Sequence, residues 1–288
     1  KGPVVLAAGK ADVDFKKFRY LFGGDCLRQG ISTSMGVGAL QIPMFGLYGA
    51  CSTSGEALAL ASMSTAAGYG GTMIAVTSSH FGSAEKEFRF PLGYANQRPL
   101  SSHWTVTGSG AFLVQSAEEY RKQNTKSYFS NIRITGVTVG KIVDYGLKDS
   151  QNMGACMAPA AMDTIVQNFQ DMERKEKDYD RIITGDLGSI GRTILFDLIR
   201  EKGYDICEKH MDCGMTIFDK ERQDTHAGGS GCGCAAVTLA SYVLPKLEKG
   251  EWKRVLFVPT GALMSTVSFN EGASVPGIAH GIVLESDA

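Results

Sequence analysis

Two strand-like runs in this chain close on the same dipeptide, Gly-Asp: "LFGGD", ending at Asp25, and "IITGD", ending at Asp186. Downstream of each comes a small-residue helix entered from a turn that holds a cysteine. The first is "YGACSTSGEALALASM" with Cys51, the second "GSGCGCAAVTLASYVLPKLEKG" with Cys232. Strand-like runs follow in both series: "TMIAVTSSH", "GSGAFLVQS" and "NIRITGVTVGKIV" in the first, "WKRVLFVPTGALMS" and "GIAHGIVLES" in the second. The second series adds an amphipathic helix with Met162, Ile165, Val166, Phe169 and Met172 at three- and four-residue spacing, and a helix stopped by Gly203. An α/β unit stated twice is the economical explanation. It predicts mixed, largely parallel sheets covered by helices, in halves spanning residues 1–150 and 151–288. Residues 1–17 are too short and irregular to form a helix matching the one ahead of "YDRIITGD". The mismatch predicts that upstream residues are missing.

With 43% hydrophobic and 20% charged residues, the 288-residue chain can bury an ordinary core. A formal net charge of -1 supplies no basic field for nucleic acid or a membrane surface. No apolar run approaches the ~20 residues that span a bilayer, and no signal peptide opens the sequence. Any membrane association is therefore expected through a partner or a surface patch. The seven cysteines (Cys26, Cys51, Cys156, Cys207, Cys213, Cys232 and Cys234) are odd in number and form no disulfide framework, which fits a reducing compartment. Cys232 and Cys234 form C-x-C with no second ligand pair, so no metal site is predicted.

Cys51 lies between a strand, "IPMFGLY", and a helix, "STSGEALALASM". Free N–H groups and the helix dipole at such a position stabilise a thiolate. Ser52 or Thr53 is placed to cap the helix, with Glu56 completing a capping box. The plainer alternative is a buried, inert cysteine. Asp25 ends its strand at the edge where α/β sheets meet ligands. It could orient a cation there or cap the next helix. His80 ends a strand and could line the mouth of the Cys51 pocket, or simply bond to backbone. His103 reads as a loop residue, His210 as structural, His226 as non-catalytic and His280 as packed at the start of the last strand. The loop "HFGSAEKEFRFPLGYANQRP" mixes Lys86, Arg89 and Arg98 with Phe88, Phe90 and Tyr94, diluted by Glu85 and Glu87. By itself it reads as a solvated surface loop. "GGSGCGC" lacks the G-K-[ST] ending of a phosphate loop, so nucleotide binding is rejected.

"YGACSTSGEALALASM" resembles the nucleophile segment of the thiolase superfamily, which includes ketoacyl synthases. That segment, together with "TSSHFGSAEKEFRFP", "QRPLSSHWTVTGSGA", "MAPAAMDTI", "DYDRIITGDLGSIG", "AGGSGCGCAAV" and "VPGIAHGIVLE", is similar to the stage V sporulation protein AD family from residue 12 onward. The resemblance implies a thiolase-like α/β fold. Two similar halves, each with a mixed five-stranded sheet, are sandwiched by helices in an αβαβα arrangement. It implies binding of dipicolinic acid (pyridine-2,6-dicarboxylate), with or without calcium, and a role in its uptake into the developing spore. The implied partners are other proteins of the spoVA operon, including membrane subunits, at the spore inner membrane. A homodimer and a longer N-terminus are implied as well.

A condensing enzyme of this superfamily also needs histidine or asparagine partners for protons and the thioester oxygen. Where the first would stand, this chain has Asp186, whose carboxylate repels an oxyanion; nearest the second is Cys232. The expectation is therefore a non-enzymatic dicarboxylate-binding protein without cofactor. Guanidinium groups and ring faces suit a flat aromatic dicarboxylate. The ligand-binding candidates are Cys51, His80, Arg89, Arg98, Asp25, Asp186 and Cys232. The alternatives are an acyltransferase with Cys51 as nucleophile and an unconventional base, and a structural adaptor.

Overall fold

Near-continuous apolar runs belong at the centre of a parallel sheet, where both faces are covered. Strand β1 (Tyr20–Asp25) carries such a run. A computed structural model, which describes residues 1–27, 30–88, 98–123 and 131–287, pairs β1 in parallel with β2 (Met44–Gly46) on one side and β3 (Thr72–Ser79) on the other. Of the other strands, β4 (His103–Thr105) lies apart and β5 (Gly108–Gln115) closes the sheet, antiparallel to β3. Its order is β2-β1-β3-β5.

The second sheet comprises β6 (Ile132–Thr138), β7 (Arg181–Thr184), β8 (His210–Asp212), β10 (Arg254–Val258) and β13 (Gly281–Ser286), in the order β6-β13-β10-β7-β8. Here β7 pairs in parallel with β8 and β10, and β13 runs antiparallel to β10. The run β8-β7-β10-β13 thus repeats β2-β1-β3-β5 strand for strand, in order and in direction. This is the duplication that the two Gly-Asp runs imply, with Asp25 and Asp186 just at the ends of equivalent strands. The first sheet has four strands among the described residues, and the edge strand β6 has no described counterpart there. Strand β6 also joins β13, so sheet membership changes between Gln115 and Ile132, ahead of the turn near residue 150.

Five layers result. Helices α1 (Gly2–Ala11) and α2 (Ile31–Val37) cover the outer face of the first sheet. Helix α3 (Thr53–Ala66) lies between the sheets; α4 (Phe81–Phe88) and α5 (Ala117–Gln123) are peripheral. Helices α6 (Met153–Asp171) and α7 (Gly188–Glu201) cover the second sheet, and the short α8 (Cys213–Thr216) leads toward α9 (Cys232–Thr238), which packs beside α3. Each interface has its own core. Phe22, Ala57, Cys234, Leu239 and Phe257 fill the middle, Leu21 and Ile74 the first outer interface, Ile165 and Leu195 the second.

Helix α1 overturns the expectation that residues 1–17 hold none. Pro3 is tolerated in its first turn and Asp12 closes it in the left-handed region at φ 52°. Val4 and Ala8, one turn apart, are buried beside Leu21, Ile74 and Val76. A ten-residue helix gains its stability from such burial more than from propensity, so its sequence signal is weak.

Two small sheets tie the halves to the site. Strand β4 pairs in parallel with β9 (Gly228–Ser230), and β11 (Thr260–Ala262) pairs antiparallel with β12 (Gly277–Ala279).

Candidate functional site

Cys51 sits in a single tight turn, Ala50–Ser52, between β2 and α3. Ala50 adopts φ 50°, a left-handed conformation that costs a non-glycine residue roughly 1–2 kcal/mol. Hydroxyls hold the turn. Ser52 Oγ donates to the Gly49 carbonyl at 2.6 Å, and Thr53 Oγ1 donates to the Ala50 carbonyl at 2.7 Å while accepting from Gly49 N–H at 3.0 Å. Neither side chain caps α3, so the expected capping box does not form. Glu56 lies over Gly49, and burial raises its pKa.

The helix start does not make Cys51 a thiolate. The residue is 8% exposed and packs with Cys26, Cys232 and Ala84. Its contact with Cys26, its burial and the nearby Asp186 carboxylate together push its thiol well above the usual range. Cys26 occupies the middle of the cluster. Its sulfur lies 3.4 Å from that of Cys232, and both neighbouring thiols can donate to it, which holds its pKa low. The Ser78 carbonyl, 3.1 Å from Cys232 Sγ, is a second acceptor for that thiol's single hydrogen.

Asp186 leaves β7 and turns under Cys51. One carboxylate oxygen accepts from Gly231 N–H at 3.0 Å and the other from Thr260 Oγ1 at 2.8 Å, and the Cys51 thiol bonds to it as well. Burial raises its pKa to about 7. A carboxyl poised there is a weak base toward a thiol that titrates far higher, and its anion opposes an oxyanion on any Cys51 adduct. Gly231 reaches this contact with φ 107°, a conformation that favours glycine. That explains the glycine-rich turn without a phosphate.

The cysteine cluster separates two cavities. The one beside Cys51 measures about 20 Å³ and is lined by Glu85, Ser102, His103, Thr105, Gln151, Met153 and Gly231 among others. That space suffices for about one water. The other measures about 360 Å³ and is lined by Asp25, Cys26, Ser32, Ser78, Ser79, His80, Ser83, Thr107 and Ser109 among others. Its size lies within the range of small-molecule sites. Asp25 is occupied by protein donors: Leu27 N–H at 2.8 Å, Thr33 N–H at 2.7 Å and Thr33 Oγ1 at 2.6 Å. It thus holds the start of α2, the capping alternative. Among the described residues, no three His, Cys, Asp or Glu side chains are placed to hold a metal ion.

The predicted residues therefore divide. Cys51, Asp186 and Cys232 come together. Asp25 and His80 line the larger cavity with Cys26. Arg98 lines neither: its side chain is 4% exposed, stacks 3.8 Å over the Trp104 ring and donates to Asp224 at 2.9 Å. Arg89 lies outside the described residues. His103, read as a loop residue, is instead a buried member of β4. Its Nε2 lies 3.2 Å from the Leu187 carbonyl and it faces the Cys51 cavity. Glu85, 1% exposed, accepts from Thr105 N–H at 2.9 Å in the same wall. His226 bonds instead to the Pro99 carbonyl and Asp224. Sequence reasoning missed Cys26, Glu85 and His103. Cys26 was findable, since it directly follows Asp25 at the strand end. His103 was not, because its setting depends on pairing with Gly228.

The repeated sheet order and five layers define a thiolase-like fold. Solved structures agree. OleA of Xanthomonas campestris bound with cerulenin aligns with TM-score 0.66 at 14% identity, covering 99% of this chain and 78% of that one. Human mitochondrial 3-ketoacyl-CoA thiolase aligns with TM-score 0.61 at 11% identity, covering 99% and 91%. Such identities carry the fold alone. The family is fixed by sequence. A model of the family described as stage V sporulation protein AD (SpoVAD) matches residues 2–285. Over 276 residues the chain is 41% identical to stage V sporulation protein AD of Bacillus subtilis (strain 168), covering 96% of this chain and 77% of that protein. The chain belongs to the stage V sporulation protein AD family.

Proposed function

We propose that this sporulation protein binds dipicolinic acid without transforming it, and acts in its uptake into the developing spore. The observation that carries the proposal is the 360 Å³ cavity beside Cys26, next to a Cys51 site that holds an acid where a condensing enzyme needs proton-handling partners. The cavity offers His80, the Ser32, Ser78 and Thr107 hydroxyls and the first turn of α4 at Ser83. Hydroxyls, an imidazole N–H and helix N–H groups all favour carboxylates. The Asp25 carboxylate there is already engaged by three donors. Any calcium arrives as part of the ligand. No helix among the described residues is long and apolar enough to cross a membrane. In this proposal the protein works peripherally, through membrane subunits encoded with it.

Isothermal titration of the folded chain with pyridine-2,6-dicarboxylate tests this. Saturable binding is expected, weakened about tenfold by His80→Ala, the effect of losing ~1.4 kcal/mol. Arg98→Ala is expected to leave affinity within about twofold. Absence of saturable heat in wild type rejects the proposal.

A second reading, acyl transfer on Cys51, draws on His103 and Glu85 sharing its cavity. An acyl-Cys51 peptide that forms and turns over with acyl-CoA would establish it.

A further inference from the structure

We propose that Cys26 and Cys232 are a reversible thiol–disulfide pair that a peroxide closes, bonding the turn after β1 to the first turn of α9. The sulfurs are already in contact at 3.4 Å, and a disulfide needs ~2.05 Å. The inference rests on this sulfur geometry and is independent of the dicarboxylate reading.

The two members have complementary settings. Cys26 lines the 360 Å³ cavity, so a small oxidant has a route to it. Cys232 is fully buried behind it and flanked by Gly231 and Gly233. The Cys232 thiol can donate to the Cys26 sulfur, which favours the Cys26 thiolate, the reactive form. A buried, thiolate-prone cysteine that lines a cavity and touches a second cysteine behind it is the arrangement of an attacking and a resolving thiol. Cys51 also borders Cys26 but is engaged with Asp186.

The chemistry balances. The Cys26 thiolate attacks one oxygen of hydrogen peroxide, the O–O bond breaks and, with one proton, water leaves; Cys26 becomes a sulfenic acid. The Cys232 sulfur then attacks the Cys26 sulfur, the S–O bond breaks, and the departing hydroxide takes the Cys232 proton as a second water. Two thiols and one peroxide give one disulfide and two waters. A dithiol reverses the change. Closing the bond removes Cys26 as a thiol partner of Cys51 and fixes the wall between the two cavities.

The test treats the folded wild-type chain with hydrogen peroxide, then unfolds it, alkylates free thiols and maps peptides by mass spectrometry. The half-exposed Cys207 reports that oxidant was present. The expected result is a linked Cys26–Cys232 peptide pair, lacking two hydrogens and both alkyl labels, restored by dithiothreitol. Cys51→Ala is expected to leave the link intact, and Cys232→Ser to trap an oxidised Cys26 monomer. Alkylated Cys26 and Cys232 in a sample whose Cys207 is oxidised would overturn the proposal. So would a Cys26–Cys51 link in place of the expected one.

Discussion

Asp25 ends β1 and Asp186 follows the end of the equivalent strand β7, yet their surroundings are opposite. Asp25 receives three hydrogen bonds from Leu27 and Thr33 and anchors a helix. Asp186 receives one from Gly231 and one from Thr260 and lies under a thiol, its pKa lifted to about 7 by burial. Duplication supplied two similar strand ends. Local donors made one a structural cap and left the other a titrating group beneath Cys51.

Swapping each acid for its amide sharpens the contrast. Asp25→Asn turns an NH₂ group toward the Leu27 or Thr33 donors, and is expected to cost about 3 kcal/mol in urea unfolding. A loss under about 1 kcal/mol would show that the cap is incidental.

Asp186→Asn should act through pH. The folded-state pKa of Asp186 lies above its unfolded value, so its contribution is fully present below about pH 4 and fades as pH rises through about 7. Between pH 5 and pH 8 the wild type is expected to lose roughly 2–3 kcal/mol relative to Asp186→Asn, at ~1.4 kcal/mol per unit. Parallel pH profiles for the two proteins would refute the assignment.

The smallest effect concerns the turn that carries Cys51. Ala50→Gly relieves a left-handed alanine but loosens the unfolded chain, for a net gain of up to about 1 kcal/mol. A clear loss of thermal stability would mean that the Ala50 methyl packs usefully.

The duplication was legible because each half repeats a local order of strand, Gly-Asp and cysteine-bearing helix. The nucleophile turn was legible for the same reason. What escaped depends on distant pairings. His103 enters the Cys51 cavity through a strand paired with Gly228, and Arg98 turns away to Trp104 and Asp224. Cys51 itself looked like a thiolate because a helix start favours one. Burial among Cys26, Cys232 and Asp186 outweighs that dipole, which is worth only ~0.3–1 kcal/mol at exposed ends.

The proposal places the dicarboxylate in the cavity beside Cys26 and not in the one beside Cys51. The direct measurement is an NMR titration of the histidine ring signals with pyridine-2,6-dicarboxylate, the His80 signal assigned with His80→Gln. The account predicts a saturable shift at His80 with His103 unmoved. A shift at His103 with His80 silent, or no saturable shift at either, would contradict it.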